Sequence, residues 1–341
     1  MKYDVLSMLP DEIVGMMGEW GEPPYRAGQL FEWLHKKRAQ DFLEITTFSK
    51  PLREQCMLKC YINSLKIKKR LVSATHNTVK YLYELHDGLC VESVLMHYRH
   101  GASLCISTQV GCRMGCKFCA SAKAGFIRNL EPSEMLGQVY ASERESGHKI
   151  GSIVLMGIGE PLDNFENAVR FLKIISHPQG MNLSLRHVSL STCGLADKIE
   201  QLADLRLGLT LSISLHAVAN EQRSAIMPIN RHWPIEDLLR VCRDYHKKTG
   251  RRISFEYALI KGKNDTPAHA IKLAALLRGF PCHVNLIPIN PVPGLNFRGS
   301  PPEDAQNFQK QLSQKGINAT IRRELGTDIM AACGQLRIAE S

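Results

Sequence analysis

The sequence predicts an α/β fold built on a parallel sheet, and three observations carry that prediction. Strand-like apolar runs alternate with amphipathic helical stretches over most of the chain. Residues with uncommon chemistry gather just after those runs, and a dense cysteine motif follows the first of them. Strand character falls at 104–110, 151–156, 187–192, 209–215, 253–259 and 283–288, and helical periodicity at 132–146, 164–175, 195–205, 235–248 and 267–277. Six strand–helix units of this spacing give a parallel sheet, either doubly wound or curled into a barrel. In both arrangements ligand chemistry collects beyond the carboxyl ends of the strands. The order of the segments agrees. CRMGCKFC follows the first strand and GIGEP the second, STCG closes the third, SLHA the fourth and PINPVPG the sixth.

Before this region lies a segment of different character. Pro24 precedes the run RAGQLFEWLHKK, which sets Leu30, Phe31 and Leu34 on one helical stripe, and a second helix fits 49–59. Strands at 65–70, 78–85 and 90–96 follow. Residues 1–95 are thus expected to form a small accessory domain, helical first and then β. The cluster Lys66, Lys68, Lys69 and Arg70 suits contact with phosphates, and equally suits a strand edge kept charged against aggregation. Beyond residue 301 the pattern gives one more helix (303–315), a short strand (318–322) and an end that carries a cysteine. The expected divisions are 1–95, a core over 98–328, and a tail over 329–341.

Composition narrows the class. The chain has 341 residues, 44% of them hydrophobic and 22% charged, the balance of a folded protein. Forty-three basic residues against 33 acidic ones give a net charge of +10, which favours an anionic partner, nucleic acid before membrane. Asp4, Asp11 and Glu12 interrupt the apolar N-terminal stretch, which excludes a signal peptide or a membrane span there. A cytoplasmic location without membrane attachment is expected. Eleven cysteines without an export signal point to metal or thiol chemistry, not to a disulfide framework. Cys56, Cys60, Cys90, Cys193, Cys242 and Cys282 stand singly, as small buried hydrophobes do.

Cys112, Cys116 and Cys119 form a CxxxCxxC motif. Three thiolates on one tight loop hold a [4Fe-4S] cluster and leave one iron open to a chelating ligand such as the methionine part of S-adenosylmethionine (SAM). The competing reading is a structural zinc with Cys105 as fourth ligand, although zinc sites favour two close pairs. After the next strand, Gly157 and Gly159 in MGIGEP expose backbone groups suited to an ammonium or carboxylate. Ser191, Ser214, His216 and Asn290 are polar residues on the same rim, suited to ribose and adenine.

These motifs, together with YRAGQLFEWL, VESVLMHYRHG, RSAIMPINR, RRISFEYALI, HVNLIPINPVPG and DIMAACGQL, make the sequence resemble the RlmN/Cfr family of radical SAM methyltransferases over essentially its whole length. The resemblance implies a partial (βα)6 barrel with an N-terminal, mainly helical accessory domain and a C-terminal extension. It implies methylation of adenosine C2 in 23S rRNA and tRNA, using a [4Fe-4S] cluster and two SAM per turnover. Cys333 matches the cysteine that is first methylated, and Cys105 the thiol that later forms a transient disulfide with it. Glu92 matches a proton acceptor. Gly159, Glu160, Ser191, Ser214, Leu215, His216 and Asn290 match SAM contacts. An external electron donor, a disulfide reductant and a monomeric state are implied as well.

Two alternatives stand beside this. The first is a C8 methyltransferase of the Cfr branch; Pro161 after Glu160, and TQVG before the cysteines, favour the C2 branch. The second is a non-enzymatic RNA-binding protein with a structural zinc. Met330, His97 and Cys193 depart from residues common in the family, and none of them is a reacting group.

Overall fold

The computed structural model describes residues 2–336 apart from 100, 124, 291, 293 and 324. Of the expected tail over 329–341, residues 337–341 lie outside the described residues. The chain begins with helices α1 (Pro10–Glu19), α2 (Tyr25–His35) and α3 (Lys50–Lys59). The spacing of Leu30, Phe31 and Leu34 puts all three on the buried side of α2, where each contributes roughly 1.5–3 kcal/mol. The Ser49 hydroxyl accepts from Leu52 N–H (3.4 Å) and caps α3, so the second predicted helix starts where its capping residue stands. Helix α1 is not among the sequence-predicted elements: its Asp11 and Glu12 read there only as charges that exclude a signal peptide.

Ten strands make one sheet. Strands β1 (Lys66–Val72), β2 (Thr78–Glu84) and β3 (Cys90–Tyr98) form an antiparallel meander that pairs with β4 (Gly101–Ile106). From β4 the chain passes through α4 (Ala120–Lys123) and α5 (Pro132–Ser146) to β5 (Ile150–Leu155), and then through α6 (Phe165–Ile175) to β6 (Val188–Thr192). Next come α7 (Ala196–Asp204), β7 (Thr210–Ser214), α8 (Asn220–Ile226), α9 (Ile235–Thr249) and β8 (Ile253–Leu259). Helix α10 (Pro267–Leu276), β9 (Cys282–Pro288), α11 (Pro302–Gln314) and β10 (Ala319–Ile321) complete the fold. The sheet runs β1 to β10 in strictly sequential order, and every pairing from β4 onward is parallel. Consecutive parallel neighbours joined by helices curl the sheet one way, giving the partial barrel and not a doubly wound sheet, which would reverse its strand order.

Two boundaries differ from expectation. The division at residue 95 falls inside β3, whose ladder with β4 joins the meander to the barrel, so the β part of the N-terminal region continues the main sheet. The predicted strand 104–110 is broken. Ser107 leaves the ladder because its hydroxyl donates to the Glu92 carbonyl (2.6 Å) and accepts from Ile158 N–H (2.9 Å), while its own N–H donates to Gln138 Oε1 (2.8 Å). The chain resumes as a short strand, Gln109–Gly111, paired with Phe126–Asn129.

Helix α5 is buried along most of its length between the N-terminal helices and the sheet. A Cβ on Gly137 would come within 2.6 Å of Leu65 Cγ, so only glycine lets the N-terminal segment close over this helix. Among the described residues no helix is long and apolar enough to cross a membrane.

His35, at this junction, is fully buried and shares a hydrogen bond with Tyr140 Oη (2.9 Å). Burial, with Arg38 and His177 nearby, holds its pKa at about 3. Between pH 6.5 and 5 the unfolded chain therefore takes up a proton that the folded chain refuses, and stability falls as pH falls, by about 2 kcal/mol at pH 5 from this residue. Denaturant titrations at pH 7 and pH 5 check this: His35→Gln should lose less stability than the parent over that interval. An equal loss would contradict it.

Candidate active site

The cysteine loop leaves Gly111 and enters α4. Gly111 has φ +80°, and a Cβ there would lie 1.9 Å from the carbonyl oxygen of Gly125, the same oxygen that accepts from Cys112 N–H at 2.8 Å. Lys117 N–H donates to the Ile226 carbonyl (2.9 Å), which fastens the loop to the end of α8. So held, Cys112, Cys116 and Cys119 are half-buried and line one cavity of about 170 Å³ at the carboxyl ends of the strands. Apolar side chains of Met114, Phe118, Ile226, Met227 and Ile289 surround it. Burial pushes the Cys112 thiol up to about 12 and raises Cys116 as well, so an incoming metal must displace protons to bind them.

These residues fit a cubane. In a cubane each of three thiolates would take a different iron, whereas a zinc ion needs its donors to converge on one point. Among the described residues no three His, Cys, Asp or Glu side chains converge on one ion. Cys105, the fourth ligand of the zinc reading, lines a different cavity.

The second strand's loop completes one wall. Gly157 and Gly159 sit against the β4 end so closely that a Cβ on either would come within 2.6 Å of Ile106 O or Gln109 Cβ. Glu160 faces the cavity yet is buried; its carboxylate accepts from Leu162 N–H (3.0 Å) and Cys193 N–H (2.7 Å). Burial raises its pKa and those bonds oppose the rise. Ser191, Ser214 and His216 line the same cavity. His216 Nδ1 accepts from Ala258 N–H (2.9 Å), which places the ring proton on Nε2, and burial with Arg223 nearby drops its pKa to about 3. It is a neutral donor at any working pH.

Leu215 and Asn290 are not among the side chains that line the larger cavity. Leu215 is fully buried; its N–H donates to the Glu256 carbonyl (3.0 Å) and its carbonyl accepts from Arg223. Asn290 lines a second, smaller cavity of about 40 Å³ with Val94, Met96, Cys105 and Leu336. Cys333, Arg322, Met156 and Ile287 line both cavities, so Cys333 stands in the partition between them.

The described part of the tail is held on both sides of Cys333. Ala120 N–H donates to the Gly334 carbonyl (2.8 Å) and Ser121 Oγ to the Leu336 carbonyl (2.7 Å), which ties the tail to the helix that starts just after Cys119. Upstream, the Asp328 carboxylate accepts from Ser73 Oγ (2.7 Å) and Ala74 N–H (2.8 Å) in the β1–β2 turn. Gly326 and Gly334 both take positive φ, and so does Met330 (φ 52°). The Met330 carbonyl accepts from Lys80 Nζ (3.1 Å), and Lys80 also pairs with Glu92 Oε1 (2.8 Å). Glu92 is on the face of β3 that carries Val94, the strand partner of Cys105, although it is not among the residues lining either cavity. Burial, with Cys333 nearby, pushes the Cys105 thiol up to about 12.

Sequence reasoning missed Lys80, Arg223, Glu256 and the interior position of Arg322. Arg223 and Glu256 lie in RSAIMPINR and SFEYALI, segments quoted for their resemblance but given no role. Arg128 pairs with Asp87 (2.7 Å) and Glu134 (2.8 Å). Of the six lone cysteines five are buried as expected, but Cys193 also lines the larger cavity.

A partial parallel barrel with three loop cysteines on its carboxyl rim defines the radical SAM class. Comparison agrees: residues 106–274 match the Radical SAM superfamily, and residues 3–62 match the Ribosomal RNA large subunit methyltransferase N-terminal domain. A radical SAM methyltransferase from Sphaerobacter thermophilus superimposes with a TM-score of 0.93 at 40% identity, over 97% of this chain and 98% of that one. A probable dual-specificity RNA methyltransferase RlmN from Lachnoclostridium phytofermentans is 47% identical over 98% of this chain and 94% of its own length. The corresponding protein of Caldanaerobacter subterraneus is 49% identical over 98% of each. The chain belongs to the RlmN family of radical SAM methyltransferases, and that membership implies a [4Fe-4S] cluster and SAM.

The cradle geometry yields a direct test. Gly111→Ala should abolish iron uptake on anaerobic reconstitution while leaving the far-UV circular dichroism unchanged, because the added Cβ displaces the loop and not the barrel. Normal iron and sulfide content in that variant would contradict the assigned loop geometry.

Proposed function

We propose that this protein methylates C2 of adenosine in RNA, at adenosine 2503 of 23S rRNA and adenosine 37 of tRNA, through a methylated Cys333. The observation that carries the reading is the position of Cys333 in the partition: one side faces the cradle cavity, the other the cavity that holds Cys105. Cys112, Cys116 and Cys119 are the cluster ligands in this proposal, with Gly159, Glu160, Ser191, Ser214, Leu215, His216 and Asn290 around SAM. A [4Fe-4S] cluster held by these cysteines would supply the electron that splits SAM into methionine and a 5′-deoxyadenosyl radical.

The remaining chemistry falls to this chain's own groups. Cys333 takes a methyl group from one SAM, and its S-methyl loses a hydrogen atom to the radical derived from a second. The methylene carbon then bonds to C2, an electrophilic position that direct nucleophilic attack on SAM does not reach. Glu92, held beside Lys80, accepts the C2 proton. Cys105 attacks the Cys333 sulfur and the sulfur–carbon bond breaks as the disulfide forms; the released methylene takes up the thiol's proton, and the adduct's unpaired electron would return to the oxidised cluster, so that the methylated base leaves. An external thiol reductant restores the pair, and an external donor supplies the electron. The apolar wall of Val94, Met96, Ala331 and Leu336 keeps water from this step.

The target adenine must be unstacked to present C2. The exposed β1 edge, with Lys66 and Lys69, and Arg323 beyond β10 suit its backbone phosphates, so RNA affinity should weaken with salt. The protein acts in the cytoplasm as a monomer in this reading.

The deciding experiment is Cys105→Ala under anaerobic turnover with an rRNA fragment. The thiol that resolves the intermediate is then missing, and a covalent RNA–protein species should accumulate on a denaturing gel with Cys333 at the junction. Free 2-methyladenosine at the parent rate with no adduct would overturn the role of Cys105. Free 8-methyladenosine from the parent enzyme would overturn C2 as the target.

A further inference from the structure

Arg223, on α8, is fully buried, and its surroundings hold an electrostatic imbalance. A guanidinium has five N–H groups, and here all five find acceptors. Nη2 donates to the carbonyls of Cys193 (2.6 Å) and Ser214 (3.0 Å), and Nε donates to the carbonyl of Leu215 (3.1 Å). Nη1 donates to Asn230 Oδ1 (3.1 Å) and the Trp233 carbonyl (3.5 Å). Every one of these acceptors is uncharged. The bonds satisfy the donors and lock the ends of β6 and β7 together, but they do not neutralise the charge.

An ionised group without a counter-charge in a dry interior is costly, and a buried arginine ordinarily has a carboxylate partner. Glu160 is not in bonding contact: it accepts from the Cys193 N–H, while Arg223 binds the Cys193 carbonyl. Cys193, whose carbonyl Arg223 binds, lines the cradle cavity together with Cys116, and the cysteine loop is fastened to the end of α8 by Lys117 N–H donating to the Ile226 carbonyl (2.9 Å). Cys116 is the middle cysteine of the cradle. A cubane held by three thiolates is anionic, and it gains further negative charge on reduction.

We propose that Arg223 is the buried counter-charge of the iron–sulfur cluster, a positioning residue that raises the cluster's reduction potential while it ties the β6 and β7 rim together. This rests on reading Cys112, Cys116 and Cys119 as the cluster ligands. The effect is selective for the reduced state, because a fixed positive charge stabilises the more negative form more. Histidine or serine ligands of SAM cannot substitute for it, since His216 is neutral in the same region.

The test compares midpoint potentials of the reconstituted full-length protein by EPR-monitored redox titration. Arg223→Lys keeps the charge and should titrate close to the parent. Arg223→Gln removes it and should lower the reduced-to-oxidised ratio at least tenfold at a fixed potential, a negative shift of about 59 mV for a one-electron couple. Asn230→Asp leaves Arg223 in place and sets a carboxylate where Oδ1 already accepts from Nη1. It should shift the potential in the same direction, and it decides the matter if Arg223→Gln does not take up a cluster. An unchanged potential in Asn230→Asp, or an equal shift in Arg223→Lys and Arg223→Gln, would overturn the proposal. Failure of the parent protein to bind iron and sulfide would overturn the cluster assignment instead.

Discussion

Everything at this site depends on where the C-terminal tail docks. Two hydrogen bonds, from Ala120 N–H to the Gly334 carbonyl and from Ser121 Oγ to the Leu336 carbonyl, attach it to the first turn after the cysteine loop. Position 333 is thereby fixed relative to the cradle by a few residues of α4, not by the long path around the barrel. Each bond alone is worth about 1 kcal/mol, modest against the entropy of ordering the segment. Asp328 at the β1–β2 turn and Lys80 at Met330 add upstream anchors. Several weak restraints hold a segment in place while leaving it able to leave, which suits the proposed role of a sulfur that serves two cavities in turn.

The polar interior of the rim works by a different logic. Glu160, Arg223 and His216 are all buried, and each makes at least one hydrogen bond to a backbone group at or just beyond the carboxyl end of a strand. Their bonds define the rim's shape, and the glycines at 157 and 159 let it close against β4. A partly satisfied network of this kind would be worse than an apolar one, so its completeness is what makes charged groups tolerable there. The cost reappears as acid sensitivity, because the buried imidazoles stay neutral in the fold and protonate when it opens.

Much of this was legible in the sequence because parallel βα units repeat two clear periodicities. Every barrel strand from β5 to β9 falls within two residues of its predicted position, and the chemistry sits just beyond the strands as the rule requires. What the sequence concealed involves contacts that periodicity does not encode. The break at Ser107 comes from side-chain bonds to Glu92, Ile158 and Gln138 on three other elements. Lys80 reads as an ordinary strand lysine, and only the fold brings it between Glu92 and the tail. Periodicity likewise does not say that Leu215 is buried between Ser214 and His216, or that Asn290 lines the smaller of two adjoining cavities.

The central claim is that the transferred carbon passes through Cys333. It is tested most directly by incubating the anaerobic, cluster-loaded protein with methyl-labelled SAM in the absence of RNA, removing the excess, and then adding RNA with unlabelled SAM. The account predicts that the label is found first on the peptide containing Cys333 and is then chased into 2-methyladenosine in the first turnover. Label that never resides on Cys333, or a first-turnover product that carries only the unlabelled methyl group, would contradict it.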